Sequence, residues 1–153
     1  MNALIIDASV AIKWVVDEEG TPEALRLRDR GRFIAPELLI PECANILWKK
    51  VQRKELSKDE ALLAARLLQS ADIELLPTRS LLEAATRMAI DLDHPAYDCL
   101  YLALAVEKDC RFVTADGGFM RKLGQSRRSR LLERVISLAD AAAGRRTGEP
   151  SKY

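Results

Sequence analysis

The chain alternates short apolar runs with longer segments in which apolar residues recur every three or four positions. Leu4-Ile5-Ile6 is such a run and stops at Asp7. A buried parallel strand reads as a continuous apolar run, so residues 2–6 are predicted as a strand entering a helix that ends near Val16. Thr21-Pro22-Glu23 is a helix-start signature, with Thr21 as N-cap, a helix to about Arg30 and Gly31 as its stop. Phe33-Ile34-Ala35 is a second strand. Beyond Pro36, residues Leu39, Cys43, Ile46, Leu47 and Val51 form the buried stripe of a long helix, with Glu42, Asn45 and Lys49 on the neighbouring stripe. Ser57 and Glu60 have capping-box spacing ahead of an Ala- and Leu-rich helix through Leu68. Ile73–Leu76 reads as a third strand, with a helix from about Ser80 to Ile90. Tyr97–Glu107 is a helix apolar over most of its circumference. Arg111–Thr114 is a fourth strand, ending at Ala115-Asp116 before a Gly117-Gly118 turn, and a last strand is expected around residues 131–136.

Strands alternating with helices imply an α/β fold with a largely parallel sheet covered on both faces, and ligands outside the carboxyl ends of its strands. The 153 residues suit one domain, assigned to 1–140, with 141–153 expected as a flexible C-terminal tail. A domain of that size buries roughly 70% of its unfolded-chain surface and needs no disulfide or metal merely to fold.

Composition narrows the chemistry. With 48% hydrophobic and 31% charged residues the chain is ordinary for a globular domain and is not disordered as a whole. Its longest apolar runs, such as Cys99–Val106, fall short of the ~18 residues of a membrane span. Met1–Val16 lacks a basic n-region and carries Asp7, so it does not read as a signal peptide, and the expected location is cytoplasmic. Cys43, Cys99 and Cys110 show no CxxC spacing and read as buried reduced thiols. His94 is the one histidine, too few for a His/Cys zinc site or for two imidazoles as acid and base. It sits in a turn and reads as a surface or capping residue. Chemistry must therefore come mainly from carboxylates, hydroxyls or metals held by oxygen.

Net charge hides an asymmetry. Residues 1–120 carry 15 Lys and Arg against 20 Asp and Glu, whereas residues 121–153 carry 9 against 3. Most of the excess lies in Arg121, Lys122, Arg127, Arg128, Arg130 and Arg134, a run that either meets a phosphate backbone or is a solvated face.

Asp7 and Asp116 both follow strands, and in a parallel sheet both strand ends open on the same edge. Each is also a natural helix cap. Glu42 and Asp98 lie near the starts of apolar helices and border buried stripes. The structural alternatives are a dipole partner for Asp98 and a pair with Lys49 or Lys50 for Glu42. Four carboxylates in one pocket would repel and raise one another's proton affinities unless a cation compensates them. A hard divalent ion, Mg²⁺ or Mn²⁺, is the natural compensator. Such an ion acidifies bound water and neutralises phosphate charge, which is the chemistry of metal-assisted phosphodiester hydrolysis.

Four blocks carry a resemblance. They are Leu4-Ile-Ile-Asp7-Ala-Ser9-Val-Ala-Ile-Lys-Trp14, Ala35-Pro-Glu-Leu-Leu-Ile-Pro-Glu42-Cys-Ala-Asn45-Ile-Leu-Trp48, Tyr97-Asp98-Cys-Leu-Tyr-Leu-Ala-Leu-Ala105 and Val113-Thr-Ala-Asp116. In this order, over residues 2 to about 138, the chain resembles the PIN-domain ribonucleases, most of all the VapC-type toxins of toxin-antitoxin pairs. The resemblance implies a three-layer, Rossmann-like fold with a mostly parallel sheet of about five strands. It implies Asp7, Glu42, Asp98 and Asp116 as the acidic metal site of a Mg²⁺- or Mn²⁺-dependent endoribonuclease. A VapB-type antitoxin, an RNA substrate and a homodimer are the implied partners. Ser9 and Thr114 stand beside the strand-end acids, either as supporting hydrogen-bond donors or as local caps, and Asn45 is a candidate for orienting Glu42. Gly117-Gly118 departs from the polar or basic residues often seen after the fourth acid and is expected to loosen that loop. Trp14 and Trp48 offer stacking surfaces for bases, but their helical settings favour core or subunit-interface packing. A non-catalytic PIN-fold module that binds RNA or a partner protein is the alternative, distinguished by the absence of turnover.

Overall fold

A computed structural model describes residues 3–145. In chain order its first half comprises β1 (Leu4–Ile6), α1 (Ala8–Ala11), α2 (Thr21–Arg28), β2 (Phe33–Pro36), α3 (Leu39–Gln52), α4 (Lys58–Gln69) and β3 (Ile73–Leu76). The second half comprises α5 (Leu82–Leu92), α6 (Ala96–Lys108), β4 (Arg111–Thr114), α7 (Gly117–Gly124), β5 (Val135–Ser137) and α8 (Leu138–Ala142). The five strands pair in parallel in the order β3-β2-β1-β4-β5, with Leu4 opposite Phe33 and Ile6 opposite Val113. This is the three-layer α/β architecture expected from the sequence.

The apolar runs fill both faces of the sheet. Ile5, Ile34, Phe112 and Val135 pack under α5, α6 and α7, against Leu102, Leu104 and Phe119 among others. Ile6, Phe33, Ala35, Val113 and Ile136 point to the other layer, where Val10, Trp14, Leu27 and Leu39 cover them. Each fully buried side chain of this size stabilises the fold by about 1.5–3 kcal/mol. Trp14 is core, its ring edge-on to Phe33 at 5.1 Å and its Nε1 donating to the Ala24 carbonyl at 2.9 Å. Trp48 is not core: it is 56% exposed on α3. Cys43, Cys99 and Cys110 are free and buried, and desolvation pushes the Cys43 thiol up to about 12 and the Cys99 thiol up to about 11.

Several boundaries differ from those the sequence predicts. Gly20, left-handed at φ +86°, is the N-cap of α2 in place of Thr21, whose hydroxyl turns back to donate to the Val16 carbonyl. That helix ends at Arg28, two residues early. Gly117 and Gly118 are not a turn but the first residues of α7, because the Asp116 side chain caps them. The last strand starts at Val135, since polar Arg130, Glu133 and Arg134 interrupt the apolar residues and Ser129–Arg134 winds into a 3₁₀ helix. The capping box at Ser57 and Glu60 forms as expected. The chain stays helical through Ala142, and residues 146–153 of the expected tail lie outside the described residues. Among the described residues no helix is long and apolar enough to cross a membrane.

β1 is central. From it the chain builds outward through β2 and β3, then returns to the opposite side for β4 and β5. The strand order therefore reverses between β1 and β4, and the crevice at their carboxyl ends is where ligands of such sheets bind.

Candidate active site

Asp7 leaves β1 at this switch point and is only 5% exposed. Its Oδ1 accepts from the Ser9 hydroxyl at 2.5 Å and from the Val10 amide at 3.2 Å, which caps α1. Its Oδ2 accepts from the buried Thr114 hydroxyl at 2.7 Å. Those hydroxyls also tie down the exit from β4, the Ser9 oxygen accepting from the Ala115 amide and the Thr114 oxygen from the Asp116 amide. Capping and support of the acid are thus the same contacts. Burial pushes the Asp7 carboxyl up to about 6; the hydrogen bonds pull it down and the charge of Asp98 adds to the rise.

Asp98 stands in the first turn of α6, and its charge also raises the proton affinity of Glu42 from α3, after desolvation as the larger cause. The charge of Asp98 thus acts on both Asp7, at the end of β1, and Glu42, on α3. Among the described residues Glu42 does not pair with a lysine. Lys50 is held by Glu18 at 2.7 Å, and Glu42 accepts instead from the Tyr101 hydroxyl at 2.6 Å, across from α6. Asn45 is exposed on α3 and makes no hydrogen bond to Glu42 among the described residues; the donor to that carboxylate is Tyr101. His94 Nε2 lies 2.7 Å from Asp98 Oδ2. Asp116 stands apart: it is exposed, and its Oδ1 accepts from the Gly118 amide at 3.0 Å. A Cβ on Gly118 would sit 3.1 Å from that oxygen, so glycine leaves room for the carboxylate to fold onto the start of α7.

The hydrogen-bond partners of Asp7, Glu42 and Asp98 among the described residues are hydroxyls, one backbone amide and an imidazole; none is a lysine or arginine. The donor set is hard oxygen, anionic and uncompensated, which suits a small divalent cation. Among the described residues no three such side chains are already drawn into a closed ligand set. Asp116 is linked to Asp7 through the Thr114 hydroxyl, which donates to Asp7 and accepts from the Asp116 amide. Of the basic run, Arg128 pairs with Asp91, Arg134 with Asp109, and Lys122 donates to the Asp93 carbonyl, so half of it serves internal contacts.

The PIN domain profile matches residues 4–124, most of the chain. The chain belongs to the PIN domain family. Two solved structures share the fold of this PIN domain. One is PAE2754 from Pyrobaculum aerophilum, at 19% identity and a TM-score of 0.69, over 94% of this chain and 88% of that one. The other is VapC20 of Mycobacterium tuberculosis, a toxin that cleaves the Sarcin-Ricin loop, at 17% identity and a TM-score of 0.62, over 77% of this chain and 93% of that one. A search of curated proteins finds no match. PIN domains are generally nucleases, and the acid-lined crevice of this one lies where an α/β sheet binds its ligand.

Two side chains of the site escape a motif-based reading. Tyr101 lies in an apolar run and reads as core, which it is at 1% exposure, but its hydroxyl reaches Glu42. Its position one turn beyond Asp98 was the available signal. His94 precedes Asp98 by four residues but lies in the link before α6, so its contact with Asp98 comes from the fold of that link and not from a shared helical face.

Proposed function

We propose that this PIN domain is a divalent-metal-dependent endoribonuclease, the toxin of a type II toxin-antitoxin pair. One observation carries the reading: the charge of Asp98 acts on both Asp7 and Glu42, whose carboxyls are raised chiefly by burial, and among the described residues none of the three acids has a lysine or arginine as its hydrogen-bond partner. Asp7, Asp98 and Asp116 would hold Mg²⁺ or Mn²⁺, with Glu42 a fourth ligand or a water-orienting group. When bound, such an ion supplies charge neutralisation for phosphate and acidification of water. Ser9 and Thr114 fix both oxygens of Asp7, and Thr114 couples Asp7 to the backbone of Asp116. Glu42, held by Tyr101 and with its proton affinity raised, suits accepting a proton from the attacking water.

With water as nucleophile the products are a 5′-phosphate and a 3′-hydroxyl. The fold shared with VapC20 supports a toxin role, and with it a VapB-type antitoxin, a homodimer and a cytoplasmic site of action. An acidic crevice complements an Arg-bearing antitoxin segment. The test incubates purified chain with RNA in Mg²⁺, in EDTA, and with Asp98→Asn. Cleavage is expected only for the unsubstituted chain with metal, leaving 5′-phosphates. Cleavage that survives EDTA or Asp98→Asn, or cyclic phosphate ends, refutes the mechanism; saturable RNA binding without product favours a non-catalytic module.

A further inference from the structure

We propose that His94 is a positioning residue for Asp98, holding one carboxylate oxygen so that the other is presented to a divalent cation. This rests on the metal-dependent reading above. The link between α5 and α6 folds His94 back over the start of α6. Asp93 takes a left-handed conformation at φ +48°, the His94 amide donates to the Ala89 carbonyl at 3.1 Å, and Pro95 begins the next helix. The imidazole lies against the Phe119 ring of α7, centroids 5.1 Å apart, and the Lys122 ammonium of the same helix donates to the Asp93 carbonyl. Ring and backbone are thus fixed from three elements, with the histidine side chain 16% and that of Asp98 26% exposed.

An ionised carboxylate only accepts hydrogen bonds, so the 2.7 Å contact makes Nε2 the donor to Asp98 Oδ2. Asp7 is held comparably, by Ser9 and Thr114, and Glu42 by Tyr101. Asp7, Glu42 and Asp98 therefore each have a side-chain donor of their own, from α1 and β4, from α6 and from the link before α6, an arrangement that fixes the geometry of their oxygens. Outer hydrogen-bond partners of this kind typically change metal affinity by about 10–100-fold when removed.

The experiment measures Mn²⁺ binding to the full chain by calorimetry, with unfolding in EDTA and the Mn²⁺ dependence of RNA cleavage alongside. His94→Phe keeps an aromatic ring against Phe119 but lacks the donor, whereas His94→Gln restores a donor of similar reach. The expectation is roughly 10–100-fold weaker Mn²⁺ binding for His94→Phe. Its lost rate should return with excess Mn²⁺, its KM for RNA should be unchanged, and His94→Gln should bind nearly as the unsubstituted chain does. Should His94→Phe not fold, His94→Asn, too short to reach Asp98, takes its place. Equal Mn²⁺ affinity in His94→Phe and the unsubstituted chain overturns the proposal, as does equal loss in the Phe and Gln variants, which would mark a packing role. An unsubstituted chain that binds no Mn²⁺ and cleaves no RNA takes the nuclease reading down with it.

Discussion

Asp7→Asn exchanges a buried carboxylate for a neutral side chain of nearly the same shape. In the metal-free protein that carboxyl is raised from 3.8 to about 6, chiefly by burial. A raised acid opposes folding once it ionises: below pH 3.8 both folded and unfolded chains carry the proton and there is no penalty, and the penalty grows as pH climbs through the folded value. One pKa unit corresponds to ~1.4 kcal/mol, so the ionised side chain costs about 1 kcal/mol at pH 4.5 and about 3 kcal/mol at pH 8. Asp7→Asn should therefore be more stable than the unsubstituted chain in EDTA, with the difference widening by about 2 kcal/mol between those two pH values. Using the widening cancels any pH-independent change in packing or in the contacts to Ser9 and Thr114. The assay is urea unfolding of both proteins across that range. A difference that stays flat, or narrows as pH rises, would refute the premise that Asp7 is a desolvated, uncompensated acid. Added Mn²⁺ should reverse the order by stabilising only the unsubstituted chain.

Other expectations follow from the same contacts. Tyr101→Phe removes the donor to Glu42 and should destabilise by about 1–2 kcal/mol, since the carboxylate it serves is half-exposed. It should also lower kcat about tenfold, whereas Asn45→Ala, lacking a contact to Glu42, should leave single-turnover rates unchanged. Ser57→Ala breaks a capping box far from the crevice; melting should fall by roughly 2–4 °C for about 1 kcal/mol, with cleavage intact.

The sheet was legible where apolar runs end abruptly. Leu4–Ile6, Phe33–Ala35, Ile73–Leu76 and Arg111–Thr114 each stop at Asp, Pro or Ala-Asp, and all are strands. The fifth was displaced because Leu131 and Leu132 imitate a strand while their polar neighbours favour a 3₁₀ turn packed on α7. The start of α7 was missed because a Gly-Gly pair signals a turn, and only the capping carboxylate of Asp116 makes it helical. At the site, the acids announced themselves by position after strands and at helix starts, since a charge bordering a buried stripe is costly. Ser9 and Thr114 were legible as candidate donors beside the strand-end acids, and both donate to Asp7; the partners of Glu42 and Asp98 were not legible. A tyrosine inside an apolar helix has every reason to be core, and only the tertiary fold brings its hydroxyl to Glu42 on α3. His94 lacked a motif, and its role depends on a left-handed residue at Asp93 that pattern alone does not reveal.

Anomalous scattering from crystals of the full chain soaked in Mn²⁺ tests the shared cation most directly. The expected result is a peak in the crevice between β1 and β4, ligated by Asp7 and Asp98 with Asp116 or Glu42 completing the protein ligands. A Mn²⁺ peak elsewhere only, or none at saturating concentration, would contradict it.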